Sequence, residues 1–187
     1  GDYAFRVEGQ KTAAFEIADQ LSFKLPDAII IPMGCGTNIS AYAKGFREYQ
    51  QLGLIDHVPQ LIGVEAQGAN AIFQSYSQRQ IKIKPLKTAN TIASAIAVTN
   101  PIDGEKALDA IYQTQGLAID VTDEEILQAQ YLLSSEEGLF VESASATTFA
   151  ALQKLSTQRE FLNKKVICIL TGDGLKDTDL VLKNSPR

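Results

Sequence analysis

Four short apolar runs, separated by stretches with helical spacing, constrain the fold of this chain more than any other feature. They are Asp27–Met33 (DAIIIPM), Gln60–Ala66 (QLIGVEA), Gly116–Thr122 (GLAIDVT) and Lys164–Leu170 (KKVICIL). Short runs of this kind are typical of strands covered on both faces. Because strands that alternate with helices are joined by right-handed crossovers, the pattern predicts an α/β fold, with a mostly parallel sheet and helices on both faces.

Five stretches between and around these runs carry apolar residues at helical spacing. They are Gln10–Leu21, Asn38–Leu52, Asp103–Gln115, Thr122–Ser134 and Ser143–Leu155. The fourth begins with a capping box, since Thr122 can accept from the backbone and Glu125 can reach back to it. Tyr76–Asn90 interrupts the alternation, and we interpret it as a loop or a flexible excursion. The three lysines of this loop either form a solvated surface or help to attract an anionic substrate.

The composition excludes several classes of protein. With 187 residues, the chain is long enough for a single α/β unit over residues 1–187 with its own core. Lys and Arg number 17 against 22 Asp and Glu, which argues against nucleic acid as a partner. No apolar run approaches the roughly 18 residues of a membrane span. Two cysteines and one histidine exclude a disulfide framework and clustered metal sites, so we expect a cytoplasmic protein with reduced thiols.

A glycine-containing turn follows the first apolar run and precedes a helical stretch. Its sequence, Pro32–Asn38 (PMGCGTN), combines glycines that allow close approach of the backbone with the free N–H groups of a helix start. This combination predicts a cradle for an anion, most often a phosphate. The turn lacks the Gly-Lys-Ser/Thr of a Walker loop and the third glycine of a GxGxxG motif. An ordinary strand-to-helix turn therefore remains an equal alternative.

Two polar segments lie near the ends of later runs. Thr171–Asp177 (TGDGLKD) follows the last apolar run, so Thr171 is expected at the same sheet edge as the glycine turn. Its hydroxyl could bond a heteroaromatic nitrogen, or the segment could be only a polar turn that uses its two glycines. Glu142–Ala146 (ESASA) is interpreted as close packing at a helix start.

Taken together, these motifs make the chain similar to the C-terminal half of bacterial threonine synthases. Those are pyridoxal-phosphate enzymes of fold type II, like the tryptophan synthase β-subunit. The matching stretches are RVEGQKTAAFEIADQL (Arg6–Leu21), PMGCGTNISAYAKGFREYQQLGLID (Pro32–Asp56), IGVEAQGA (Ile62–Ala69), TIASAIAVTNP (Thr91–Pro101), EEGLFVESASA (Glu136–Ala146) and ILTGDGLKD (Ile169–Asp177). They follow the family's order across nearly the whole chain.

The resemblance implies roles for several residues. The phosphate of pyridoxal phosphate would be held by Gly34, Cys35, Gly36, Thr37 and Asn38. Thr171 would bond the pyridine nitrogen, and Arg6 would contact the phosphate of a phosphorylated amino acid substrate. The family, a group of carbon–oxygen lyases, converts O-phospho-L-homoserine and water to L-threonine and phosphate. Cys35 replaces an amide that many relatives place near the substrate phosphate, and Asp173 stands where histidine or asparagine is common.

The resemblance also implies that part of the active site lies outside this chain. The family's Schiff-base lysine lies in a Ser-Phe-Lys-Asp segment upstream of EGQKT, in the N-terminal half, so no catalytic residue is expected here. Ser22–Lys24 (SFK) lies after EGQKT and lacks the aspartate, and we interpret it as a helix-to-strand loop. The isolated chain is expected to bind the cofactor weakly, to lack synthase activity, to associate with itself through uncovered apolar surface, and to need the N-terminal half as partner.

Two other functions stay open at this stage. The chain could be a truncated, non-catalytic module that binds a phosphate or a partner. It could also belong to another fold-type-II enzyme, such as a serine/threonine dehydratase, although EGQKT and TGDGLKD favour threonine synthase.

Overall fold

The four apolar runs form the four strands of one parallel sheet in the computed structural model, which describes residues 4–184. The strands are β1 (Ala28–Pro32), β2 (Gln60–Ala66), β3 (Leu117–Val121) and β4 (Val166–Cys168). Their spatial order is β3-β2-β1-β4, and every pairing is parallel. The predicted α/β architecture is therefore confirmed. The first and last three residues of the unit predicted over 1–187 lie outside the described residues.

Eight helices cover the sheet within residues 4–184. They are α1 (Ala4–Gln10), α2 (Thr12–Gln20), α3 (Thr37–Gln51), α4 (Ala71–Ser77), α5 (Gly104–Gln113), α6 (Asp123–Glu137), α7 (Ser143–Ser156) and α8 (Thr178–Asn184). The five predicted helices are present. The capping box of α6 is formed, since Thr122 Oγ1 accepts from Glu125 N at 3.2 Å and Glu125 Oε2 accepts from Thr122 N at 2.8 Å. No helix in the described residues is both long and apolar enough to cross a membrane.

The central strand β1 joins the two halves of the hydrophobic core. Its alternate side chains point to opposite faces because strand residues have a period of two. Ile29 and Ile31 pack with α2, α3 and α5, whereas Ile30 packs with α6 and α7. All three are fully buried, and burying each isoleucine contributes roughly 1.5–3 kcal/mol. The DAIIIPM run is thus apolar throughout because helices cover both faces of the strand.

Two predicted loops lie where the pattern was interrupted. Tyr76 and Ser77 complete α4, and the rest of Tyr76–Asn90 has no regular structure. Ser22–Lys24 forms the turn between α2 and β1, with positive φ angles of 50° at Ser22 and 62° at Phe23. That backbone conformation ends the helix before the strand begins.

Candidate functional site

The candidate site lies at the carboxyl edge of the sheet, where β1 and β4 end side by side. The register pairs Ile30 with Cys168, and the amide of Ile169 donates to Ile30 O at 2.9 Å. The segments that follow, Met33–Asn38 and Thr171–Asp177, therefore leave the sheet as neighbours. In open parallel sheets this edge is where ligands bind. The sequence prediction that both segments share one edge is confirmed.

Two glycines of the turn after β1, which we call the glycine loop (Gly34–Asn38), lie close to other backbone segments. Gly36 has φ = +83°, and a Cβ there would lie 2.7 Å from the carbonyl oxygen of Asp103. At Gly34 a Cβ would lie 3.0 Å from the Cα of Ile96. A side chain at Gly36 would therefore overlap the backbone of Asp103, and one at Gly34 would require the neighbouring backbone to shift by a few tenths of an ångström.

The glycine loop contains hydrogen-bond donors that the described residues do not use. The amides of Gly34, Cys35 and Gly36 donate to no residue within 4–184, and α3 begins without a side-chain cap. The first turn of a helix carries about half a positive charge. Together these groups form a donor set that fits a phosphate ester. Cys35 is exposed, while Thr37 is buried.

Asp103 forms the base of the glycine loop, which the sequence analysis did not predict. Its amide donates to Cys35 O at 2.9 Å, and its carboxylate accepts from Thr37 Oγ1 at 2.6 Å and from Lys106 Nζ at 2.7 Å. Burial would raise the pKa of Asp103, but the hydrogen bonds from Lys106 and Thr37 outweigh burial and lower it. Because the Thr37 hydroxyl is committed to Asp103, Thr37 can serve an anion only through its backbone amide.

Thr171 lies on the other side of the edge and is part of a polar cluster. Its Oγ1 is 3.1 Å from Ser145 Oγ and 3.4 Å from Glu142 Oε1. Ser145 Oγ also accepts from the amides of Thr171 and Gly172, at 2.9 and 2.8 Å. Thr171 itself is exposed, so its hydroxyl can reach a ligand while the hydrogen bond to Ser145 holds its backbone.

Glu142–Ala146 is closely packed at a helix start, as predicted, but packing is only part of its role, because three of its side chains form polar contacts with Thr171–Asp177. Glu142 is buried, and its Oε2 pairs with Lys176 Nζ at 2.5 Å, which raises the pKa of Lys176. The main causes of that shift are the hydrogen bond and the charge of the carboxylate. The sequence showed both segments but gave no sign that they meet.

The same contact region anchors the start of α7. Asp177 Oδ2 accepts from the amide of Ser143 at 2.5 Å and from its hydroxyl at 2.6 Å. A Cβ at Gly172 would lie 2.3 Å from Glu142 Cδ, so a larger residue there would displace the Glu142 carboxylate. The TGDGLKD segment therefore ties the end of the sheet to α7.

Arg6 is not brought to the glycine loop by any contact within the described residues. It lies in α1, exposed, with no hydrogen bond or ion pair to residues 4–184. The neighbouring EGQKT sequence instead contributes structural contacts. Lys11 pairs with Glu8 at 2.6 Å and with Glu48 at 2.7 Å, which ties α1 to α3.

Comparison with known proteins identifies the class. Residues 1–172 match the family described as pyridoxal-phosphate dependent enzyme, and the chain belongs to this family. The chain is also similar to curated proteins named threonine synthase. The protein of Methanocaldococcus jannaschii is 48% identical over 97% of this chain and 45% of its own length. That of Synechocystis sp. is 42% identical over 97% of this chain and 45% of its own.

The chain thus spans about half the length of the curated relatives it matches. Their names confirm the predicted resemblance to threonine synthases, and their coverage is consistent with a half-length piece.

Solved structures confirm the fold class. The processed form of threonine deaminase isoform 2 from Solanum lycopersicum has a TM-score of 0.77 at 23% identity, covering 95% of this chain and 48% of that one. A fungal L-serine ammonia-lyase from Rhizomucor miehei has a TM-score of 0.76 at 24% identity, covering 100% and 58%. At this level of identity the likeness shows the fold alone, and it is that of pyridoxal-phosphate enzymes of fold type II.

Proposed function

We propose that this chain is the C-terminal part of a threonine synthase, which converts O-phospho-L-homoserine and water to L-threonine and phosphate. The observation that carries the proposal is the glycine loop. Its amides, unused within the described residues, follow the end of β1, and Thr171 follows the end of the neighbouring strand β4. The identity to proteins named threonine synthase, up to 48%, supports the substrate.

Each proposed role uses a group whose chemistry suits it. When bound, pyridoxal phosphate supplies an electron sink for negative charge on substrate carbons. The amides of Gly34–Asn38 would hold its phosphate, with Gly36 shaping the turn. Thr171 would orient the ring through its nitrogen. Arg6 would bind the substrate phosphate, because a guanidinium offers two parallel charge-assisted hydrogen bonds.

The proposal assigns the lysine that carries the cofactor to sequence upstream of residue 1. Without that bond, three loop amides at about 1.5 kcal/mol each would give a dissociation constant of about 1 mM. The isolated chain should therefore bind the cofactor weakly and lack synthase activity. Completing the site would require the N-terminal half, and without it the uncovered apolar surface would favour self-association.

We also propose that the protein is cytoplasmic, where thiols such as Cys35 stay reduced.

The test is made on the protein encoded by the whole reading frame that contains this chain. Phosphate release from O-phospho-L-homoserine is measured for that protein and for residues 1–187 alone. We expect activity in the longer protein and none in the isolated chain. Synthase activity of the isolated chain would contradict the assignment of the lysine, and a frame without a suitable lysine would favour a non-catalytic phosphate- or partner-binding module.

The same assay separates the second enzyme candidate. The fold is shared with a threonine deaminase and an L-serine ammonia-lyase. An enzyme of that kind would release ammonia from threonine or serine and no phosphate from O-phospho-L-homoserine. We expect phosphate release alone.

A further inference from the structure

Two contacts fix residues 82–87, which we call the lysine loop, to the chain that precedes α5. The side chain of Ile83 lies over the start of α5, since a Cβ on Gly104 would come within 2.6 Å of Ile83 Cγ1. Further along the lysine loop, the amide of Leu86 donates to Thr99 O at 2.8 Å. The lysine loop therefore lies along the segment that leads into α5.

That segment is itself the wall of the glycine loop. Val98 Cγ2 would lie 3.2 Å from a Cβ on Gly34, and the carbonyl oxygen of Asp103 would lie 2.7 Å from a Cβ on Gly36. Each of these wall residues is next in sequence to a residue that contacts the lysine loop. One layer of backbone thus separates the lysine loop from the proposed phosphate site.

The lysine loop changes the sign of the charge around this wall. Its three lysines are exposed and form no ion pair with any residue in 4–184. They are Lys82, Lys84 and Lys87. The start of α5 alone carries two acids, Asp103 and Glu105, and one base, Lys106. The lysine loop turns this negative balance into four positive charges against two negative ones.

This local excess opposes the charge of the whole chain. The chain has a net charge of −5, so a phosphate dianion that approaches it is repelled on average. A patch of the opposite sign beside a site attracts the ligand and raises its association rate. Exposed charges act over about 10 Å at roughly 0.1 M salt, so the lysines need no contact with the bound ligand.

We propose that the lysine loop is an electrostatic guide that speeds the association of small phosphate monoesters with the glycine loop. This inference rests on the proposed function, because it takes the glycine loop as the phosphate site. The lysines act on the approaching dianion and do not hold the bound phosphate. The association rate constant therefore depends on them, whereas the dissociation rate constant does not.

The experiment measures both rate constants for pyridoxine 5′-phosphate binding to the chain. Analysis of the ³¹P line shape during a titration gives them in the fast exchange that accompanies millimolar affinity. Lys82→Gln/Lys84→Gln removes the two charges that flank Ile83. Lys24→Gln/Lys165→Gln is the matched control, because it removes two exposed charges that precede β1 and β4, at the amino edge of the sheet.

The expected result is a loss of association rate in the first variant alone. At roughly 0.1 M salt we expect its association rate constant to fall about threefold, with the dissociation rate constant unchanged. The control should keep both rate constants, because a strand of this length places its two charges about 16 Å from the carboxyl edge, beyond the reach of exposed charges. All four substituted side chains are exposed, so the urea midpoints of both variants should match that of the unsubstituted chain.

The salt dependence of the unsubstituted chain gives a second measurement that needs no substitution. Its association rate constant should fall about threefold between roughly 0.1 M and 1 M salt, because salt screens the attraction. If the net negative charge of the chain governed the approach, the rate constant would rise instead.

Three results would overturn the inference alone. They are a rise of the association rate constant with salt, an equal loss of association rate in the control, and a change confined to the dissociation rate constant of Lys82→Gln/Lys84→Gln. The last of these would show that the lysines hold the bound phosphate. No change in the ³¹P signal of the ligand at several millimolar would overturn the proposed cofactor site, and the inference with it.

Discussion

Two helices begin at the same edge of the sheet, and their first turns are satisfied in opposite ways. At α7 the chain supplies its own anion, since Asp177 accepts from the amide and the hydroxyl of Ser143. At α3 no side chain caps the first turn, and the amides of the glycine loop are unused within the described residues. A helix start whose amides bond a side chain of the same chain stabilises the fold, whereas a helix start with unbonded amides can bind an external anion.

A third helix start resembles that of α7. Glu65, at the end of β2, is buried and accepts from the amides of Ile72 and Phe73 at 3.3 and 2.7 Å, in the first turn of α4. The chain therefore supplies a carboxyl group to backbone amides of α4 and α7, whereas at α3 the carboxylate of Asp103 accepts only from the side-chain hydroxyl of Thr37. Substitutions that fill α3 or remove the groups at the other two starts test this contrast.

The largest effect is expected for Gly36→Ala. A side chain there combines a positive φ, which costs about 1–2 kcal/mol, with an overlap against Asp103 O. We expect the unfolding free energy to fall by about 3 kcal/mol in a urea titration, and binding of pyridoxine 5′-phosphate to be lost. Gly53→Ala is the control, since Gly53 has φ = +70° and open space around it, so it should lose only the backbone contribution. Equal losses in the two variants would show that the close contact with Asp103 does not matter.

Next in size is the pH dependence caused by Glu65. Burial, with a smaller contribution from the charge of Asp120, raises the pKa of Glu65 to about 8 despite the two backbone hydrogen bonds. Because the pKa of Glu65 in the folded chain exceeds the ordinary value of 4.5, its protonation stabilises the folded state. This contribution is complete below pH 4.5 and is lost as pH rises through about 8. The unfolding free energy should fall by roughly 1–3 kcal/mol between pH 5 and pH 9.

Glu65→Gln should flatten this part of the pH profile, measured by urea titration at each pH. Glu136→Gln, on the exposed side of α6, should leave the slope as it is. An unchanged slope in Glu65→Gln would mean that Glu65 is ionised in the folded chain.

A carboxylate added at the start of α3 should make this helix start resemble that of α7, with its amides no longer available to an external anion. Cys35→Asp places a carboxylate on the exposed position of the glycine loop, where it would repel a phosphate. We expect at least a tenfold weaker affinity for pyridoxine 5′-phosphate by ³¹P NMR, with the unfolding free energy within about 0.5 kcal/mol of the original. Cys35→Ser, which adds no charge, should keep the affinity. If Cys35→Ser weakens the affinity as much as Cys35→Asp does, the thiol itself is required for binding.

The smallest effect is expected for Asp177→Asn. It weakens the two bonds to Ser143 but keeps the side-chain shape, so the unfolding free energy should fall by about 1 kcal/mol in a urea titration. Asp179→Asn, an exposed position two residues on, should change it by less than half as much. Equal losses of unfolding free energy in the two variants would contradict the claim that Asp177 stabilises the start of α7.

The parts of the fold that the sequence predicted are those set by local patterns. The strands follow from uninterrupted apolar runs, and α6 follows from the pairing of Thr122 with Glu125. The glycine loop and Thr171 could be placed at one edge because parallel strands end on the same side. The short helices α1, α4 and α8 were missed because seven residues hold too few apolar positions to show a period.

The polar connections of the site could not be predicted in this way. Asp103 meets Thr37 across 66 residues, and Ser145 meets Thr171 across 26. Each residue alone resembles an ordinary helix-start residue, and only the packed structure shows which hydroxyl meets which acceptor. The role of Arg6 rests on resemblance alone, since no contact within the described residues fixes its side chain.

The pairing of β1 with β4 has a consequence for how the site forms. Asp27 and Lys165, which flank the two strands, are bonded although 138 residues separate them. Closing so long a loop is entropically costly and slow, so contacts of this kind form late in folding. A nascent chain still lacking β4 would already have the glycine loop but no Thr171 beside it. In the proposed cofactor site, Thr171 would therefore join the glycine loop only after β4 has been synthesised and has docked.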